Sequence, residues 1–171
     1  MNAERKFRPE PIPRRGEWTA WTLTIITLAA GLFLRTQIGK MPLIAAIFIG
    51  ILLLSALSIS LSNWMDRNTV LTLKPEGVAF RNGLRDVLLG WAEIIAVQVF
   101  ASQFGAKVHV MGPGSTFNFR TMSEVTYKGQ ARGQIGFVQG EFIIQQILKN
   151  SGLEETSSPD VSREGRYYVR P

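Results

Sequence analysis

The 171-residue sequence predicts an α+β membrane protein: a two-helix transmembrane hairpin, then an antiparallel β domain capped by a C-terminal α-helix. Three observations predict it. Two long stretches before residue 65 carry no ionisable side chain, the pattern turns to strict alternation after residue 69, and an amphipathic helical stretch lies near residues 141–151.

Trp18 to Leu34 reads WTAWTLTIITLAAGLFL and, at 1.5 Å rise per residue, makes a helix of about 25 Å, near the thickness of a bilayer's hydrocarbon core. Met41 to Trp64 is longer, equally uncharged, and too continuously apolar for a strand of a soluble domain. The predicted hairpin covers residues 18–64, with spans at about 18–38 and 42–64. A secretory signal would begin similarly, but no small-residue cleavage pattern follows Leu34 and a second span comes almost at once. Between the spans, Gly39 is a helix stop and Pro42 a first-turn proline, which makes the helices antiparallel neighbours.

Small residues recur at helical spacing: Ala20, Thr24, Thr27 and Gly31 in the first segment, Ala46 and Gly50 in the second, with Ser55, Ser58 and Ser62 further on. Such rows let helices approach closely in lipid, either within the hairpin or against another membrane subunit. The spans hold no carboxylate, lysine or histidine that would build an ion path, which argues against a transporter or pump.

Arg5, Lys6, Arg8, Arg14 and Arg15 precede the first span and Arg67 follows the second, against Arg35 and Lys40 in the turn. The positive-inside rule then places both termini in the cytoplasm and the chain in the inner membrane. Arg14, Arg15, Trp18, Trp21, Trp64 and Arg67 are the expected interface anchors, and the absence of cysteine agrees with a domain that needs no disulfides. The net charge of +6 gathers beside the spans rather than along a sheet or helix face, which suits an anionic leaflet and membrane lipids and argues against nucleic acid.

Residues 1–17 place Pro9, Pro11 and Pro13 at alternate positions and are expected as a disordered basic arm. The β domain is expected over residues 69–153. Thr69–Leu73 and Val78–Arg81 form a hairpin around Lys74–Gly77, with Gly77 supplying a positive φ. Asn82-Gly83 turns the chain into Asp86–Trp91, and Ile94–Phe100, Lys107–Met111 and Thr116–Arg120 follow as strands. From Thr121 to Gln139 the pattern weakens: Val125 and Tyr127 hint at a strand, while Gly129, Gly133 and Gly136 argue for a loop. Glu141 to Ser151 is a helix with an apolar stripe of Ile143, Ile144, Ile147 and Leu148, stopped by Gly152. Residues 154–171 are polar and expected to be disordered.

The run Leu71-Thr72-Leu73-Lys74-Pro75-Glu76-Gly77-Val78 with Phe80, then Trp91-Ala92-Glu93-Ile94, then Gly136-Phe137 leading into Gly140-Glu141-Phe142 and the closing helix, resembles the bacterial pleckstrin-homology-like domains that follow two membrane spans. The resemblance covers about half of the chain. It implies a curved antiparallel barrel or sandwich plugged by the helix, and a scaffold or interaction module rather than a catalyst. In the eukaryotic relatives a basic pattern between the first strands binds phosphoinositides; Lys74, Arg81 and Arg85 are the basic residues nearby and do not reproduce its spacing.

No chemistry converges in the sequence. His109, the single histidine, alternates outward in its strand as a solvated side chain and has no cysteine beside it for a metal site. Ser115 and Ser123 stand in no nucleophile motif, the glycines from Gly129 to Gly140 lack the ending of a phosphate loop, and Glu93 reads as a locally hydrogen-bonded strand end. No cofactor, metal or catalytic residue is expected. The expected role is a membrane-anchored, non-catalytic interaction or scaffold protein that meets a protein partner or the membrane surface through Lys74, Arg81, Arg85, Gln103, Lys107 and Ser115. The alternative is a structural or assembly subunit of a larger membrane complex.

Overall fold

A computed structural model describes residues 4–11, 13–102, 105–127, 130–156 and 165–171. The chain forms two compact units: residues 13–65, and residues 1–12 together with 66–171.

The first unit is helical. α1 (Arg15–Ile38) and α2 (Leu43–Asn68) are both long and apolar enough to cross a membrane. α1 ends as its sequence predicts, at Gly39 in the left-handed region (φ 77°), whose N–H donates to the Arg35 carbonyl at 2.9 Å. Polar bonds hold the helices antiparallel at one end. Asn63 Nδ2 donates to Glu17 Oε2 (3.0 Å), Trp21 Nε1 donates to Ser60 Oγ (2.8 Å), and the Thr24 hydroxyl, bonded to the Ala20 carbonyl (2.8 Å), also reaches the Leu52 carbonyl (3.3 Å).

On α1 the expected face is the packed one: Thr24 and Gly31 are buried, Ala20 and Thr27 half-buried. On α2 Ala46 and Gly50 lie outside the contact with α1. Ala46 is exposed and a side chain at Gly50 would meet nothing, because the packed positions are Ala45, Ile49, Leu52, Ala56, Ser60 and Asn63. Those recur at intervals of three and four, so they share a stripe that Ala46, one residue out of phase, cannot join. Ser55 and Ser58 bond to their own helix, at Ile51 and Leu54.

The second unit holds two sheets, a separate hairpin and one helix. β1 (Arg5–Phe7), β2 (Val70–Leu73), β3 (Gly77–Arg81) and β4 (Asp86–Gly90) form an antiparallel sheet in that order. β5 (Ala96–Phe100), β6 (Lys107–Met111) and β7 (Thr116–Arg120) belong to a second sheet. β8 (Ser123–Tyr127) pairs with β9 (Gln130–Ile135), and α3 (Gly140–Ser151) follows. The chain then returns as β10 (Glu154–Thr156) and β11 (Gly165–Val169), which give the second sheet the order β10-β11-β5-β6-β7.

Alternation places Leu71, Val78, Phe80, Val87 and Leu89 of the first sheet in one core with Val97, Val108, Val110, Phe117 and Phe119 of the second. Phe80 and Phe117 stack with ring centroids 5.1 Å apart. Ile143, Ile144 and Ile147 of α3 enter the same core, so the helix covers the sheets with the stripe its sequence predicts, and it ends at Gly152 (φ 64°).

Among the described residues the sheets form no closed barrel. Between β4 and β5 the chain takes a 3-10 turn (Trp91–Glu93), in which Glu93 Oε2 accepts the Gly90 N–H at 2.7 Å and Trp91 donates through its backbone to Glu76 and through Nε1 to Pro75. These bonds replace a ladder between β4 and β5. Gly77 does not take the positive φ expected of it; it is glycine because a Cβ there would run into the Leu89 carbonyl and lie 2.8 Å from Gly90 Cα, so that β4 can approach. The loop expected around Gly133 is strand, with Gly133 paired to Val125.

Arm and tail depart most from expectation. Arg5–Phe7 pairs with Leu71–Leu73, Phe7 lies 6.1 Å from the Phe142 ring, the Arg5 guanidinium sits 5.6 Å from the centre of that ring, and the Glu10 N–H donates to the Gly136 carbonyl. Residues 165–169 are an interior strand with Tyr168 in the core, although residues 157–164 of the tail lie outside those described. The proline-rich and polar composition hid both strands because each gains its hydrogen bonds from a distant edge and not from local pattern.

Two outcomes test these packing arguments. Replacing Asn63 by Leu removes a donor to Glu17 and weakens helix association by about 1 kcal/mol, read from unfolding of the full chain in mixed micelles. Tyr168→Ala lowers the stability of the β unit by about 3 kcal/mol, seen as an earlier denaturation midpoint; a tail that contributes nothing to the core would leave it unmoved.

Candidate functional site

The outward face of the second sheet carries its polar side chains in register. Tyr167, Gln98, His109 and Asn118 stand opposite one another across β11, β5, β6 and β7, and the next row is Gly165, Phe100, Lys107 and Arg120. The inward neighbours Val97, Val99, Val108, Val110, Phe117 and Phe119 fix that orientation, because alternation sends the residues between them outward. Part of this face is an open cleft of about 530 Å³, lined by Gln98, Phe100, Ala101, Ser102, Lys107, His109 and Asn118.

Among the described residues the lining combines amides, a hydroxyl, an imidazole, an ammonium group and an aromatic ring, with no carboxylate. His109 is half-buried, not fully solvated as its sequence position suggests. Burial pushes its pKa below the ordinary imidazole value, and the Lys107 ammonium two residues away on the same face pushes it the same way. Near pH 7 the ring is therefore neutral and offers one donor and one acceptor, while Lys107 supplies the positive charge. Such a lining suits a partner's acceptors or carboxylates. Among the described residues no three His, Cys, Asp or Glu side chains gather as a metal site would require.

Of the six residues expected at an interaction surface, the five described ones are divided between different strand ends. Lys107 lines the cleft, while Ser115 lies in the Gly112–Ser115 turn at the other end of β6. Lys74 sits in the β2–β3 turn, where its N–H donates to the Gly77 carbonyl, and Arg81 and Arg85 flank the β3–β4 turn at the opposite end of the first sheet. Gln103 lies outside the described residues. Of the expected anchors, Arg14, Arg15, Trp18 and Trp64 are exposed at the helix ends and Arg67 is in the last turn of α2, whereas Trp21 is tied to Ser60. The sequence reading passed over Gln98, Asn118 and Ser60. The first two were legible, since β5, β6 and β7 alternate cleanly and their polar positions share one parity; Ser60 was not, because its role depends on the pairing of two helices.

Compared with protein-family models, curated proteins and solved structures, the chain matches none.

A depressed folded-state pKa means that the stability His109 contributes is fully present above its unfolded value of about 6.5 and is lost as the pH falls through the folded value. The single imidazole signal in an NMR titration moves at a pH below 6.5. Lys107→Ala brings that midpoint part of the way back, and His109→Gln flattens the acid side of the stability profile.

Proposed function

We propose that this protein is a membrane-anchored, non-catalytic interaction module, in which two spans hold a pleckstrin-homology-like two-sheet domain at the cytoplasmic face of the inner membrane and the cleft beside His109 receives a protein partner. The observation that carries this reading is the pairing of Arg5–Phe7 with Leu71–Leu73. A segment before the first helix and a segment after the second share one ladder, which requires both to lie on the same side of a bilayer crossed by α1 and α2. The excess of Arg5, Lys6, Arg8, Arg14, Arg15 and Arg67 over Arg35 and Lys40 supports the cytoplasmic side by the positive-inside rule. The domain adds a core capped by α3 and a polar face whose Gln98, Lys107, His109 and Asn118 suit a protein segment bearing carbonyls or a carboxylate.

One observation favours a second reading, as a subunit of a larger membrane complex: Ala46 and Gly50 face away from α1, leaving room for a neighbouring helix. Co-migration with other membrane proteins at fixed stoichiometry after mild detergent extraction supports that reading, and a lone species supports the first.

The absence of cysteine makes topology directly testable. A membrane-impermeant maleimide added to intact cells labels Lys40→Cys in the turn between the helices, and labels Ser115→Cys only after the cells are opened. Labelling of Ser115→Cys in intact cells would overturn the cytoplasmic placement.

A further inference from the structure

We propose that the β3–β4 turn is a membrane-contacting tip, which seats Leu84 in the headgroup region of the bilayer that α2 crosses, with Arg81 and Arg85 against anionic lipid phosphates. The inference rests on the anchored reading above and adds which face of the domain meets lipid.

The first observation is register. Val70 follows the last residue of α2, Asn68, by two positions, and Arg81 is paired directly with Val70. Two residues of chain, one strand spacing and three more residues place Leu84 no farther than about 24 Å from the end of α2, whatever the angle between helix and sheet. The other turn of this sheet, Lys74–Gly77, lies at the far end of β2 and β3.

The second observation is how the turn is built. Asn82 Oδ1 accepts the N–H groups of Arg85 (2.8 Å) and Leu84 (3.3 Å), the Asn82 N–H donates to the Arg85 carbonyl (3.0 Å), and Gly83 takes φ 83°. This frame fixes the backbone and turns out an apolar side chain where a polar one would cost the fold nothing. Leu84 is 62% exposed, and Leu88, outward on β4 beside the turn, is 59% exposed.

The third observation is charge. Arg8 just past β1, Arg67 in the last turn of α2, Arg81 and Arg85 gather at this end of the sheet, against the carboxylates of Asp66 and Asp86. Apolar tips ringed by arginine fit an interface whose phosphates lie above its acyl chains. A soluble partner would find this surface within reach of the headgroups, which is why lipid is the occupant.

The test uses the full chain in nanodiscs of phosphatidylcholine with phosphatidylglycerol, carrying one environment-sensitive NBD label at Leu84→Cys or, as control, at Glu76→Cys in the far turn. A blue-shifted emission at position 84 that is quenched by shallow doxyl lipids, with position 76 in water, supports the proposal, and adding R81Q and R85Q reduces the quenching. Both labels in water while the chain stays in the disc overturns the tip and leaves the anchoring intact. Both labels in lipid overturns the choice of face. A chain that elutes free of the discs overturns the anchoring and the tip with it.

Discussion

A ladder of three residue pairs, Arg5–Phe7 against Leu71–Leu73, constrains the rest of this protein more than any other contact. Backbone groups in a sheet must find partners, and β2 finds one set in β3 and the other in a segment that precedes both helices. The helical pair is thus an insertion between two neighbouring strands. Phe7 against Phe142, Arg5 over the same ring and Glu10 against Gly136 then carry the arm across to α3 and β9, so the residues before the first helix belong to the β unit's structure.

What could be read from the sequence divides by the range of the cause. The helices, their stop at Gly39, the strands from Val70 to Arg120 and the face of α3 follow from local periodicity and turn chemistry; the strands begin and end within two residues of the expected positions, whereas α1 begins earlier, at Arg15, and α2 runs on to Asn68. Arg5–Phe7 and Gly165–Val169 escaped because a three-residue strand and a polar tail carry no periodic signal until their partners are known. Gly77 and Gly140 show the same limit at single positions. Both are glycine because another part of the chain comes close, the Leu89 carbonyl in one case and Thr121 Cα, 2.7 Å from a Cβ built on Gly140, in the other.

The candidate site has the same history. Lys107 and His109 could be placed on an outward face from β6 alone, but the cleft needs β5, β6 and β7 in register, and that register sets Gln98, His109 and Asn118 side by side. Lys74, Arg81, Arg85, Lys107 and Ser115 could not be assigned to one end of the domain from sequence, because basic and polar residues in exposed loops say nothing about which end of a strand they occupy. Antiparallel pairing sends alternate turns to opposite ends of a sheet, which separates Lys74 from Arg81 and Ser115 from Lys107.

The position of β11 governs how the protein is made. Its partner β5 is synthesised early, with Phe100 and Gly165 65 residues apart in the chain, yet β5 cannot complete its ladder until residues 165–169 have left the ribosome. During that interval Val97 and Val99 wait on a strand with an open edge, the type of surface on which nascent chains stick to one another. Biogenesis of this protein therefore has a vulnerable stage set by the order of its strands, and removing residues 165–169 would prolong that stage indefinitely.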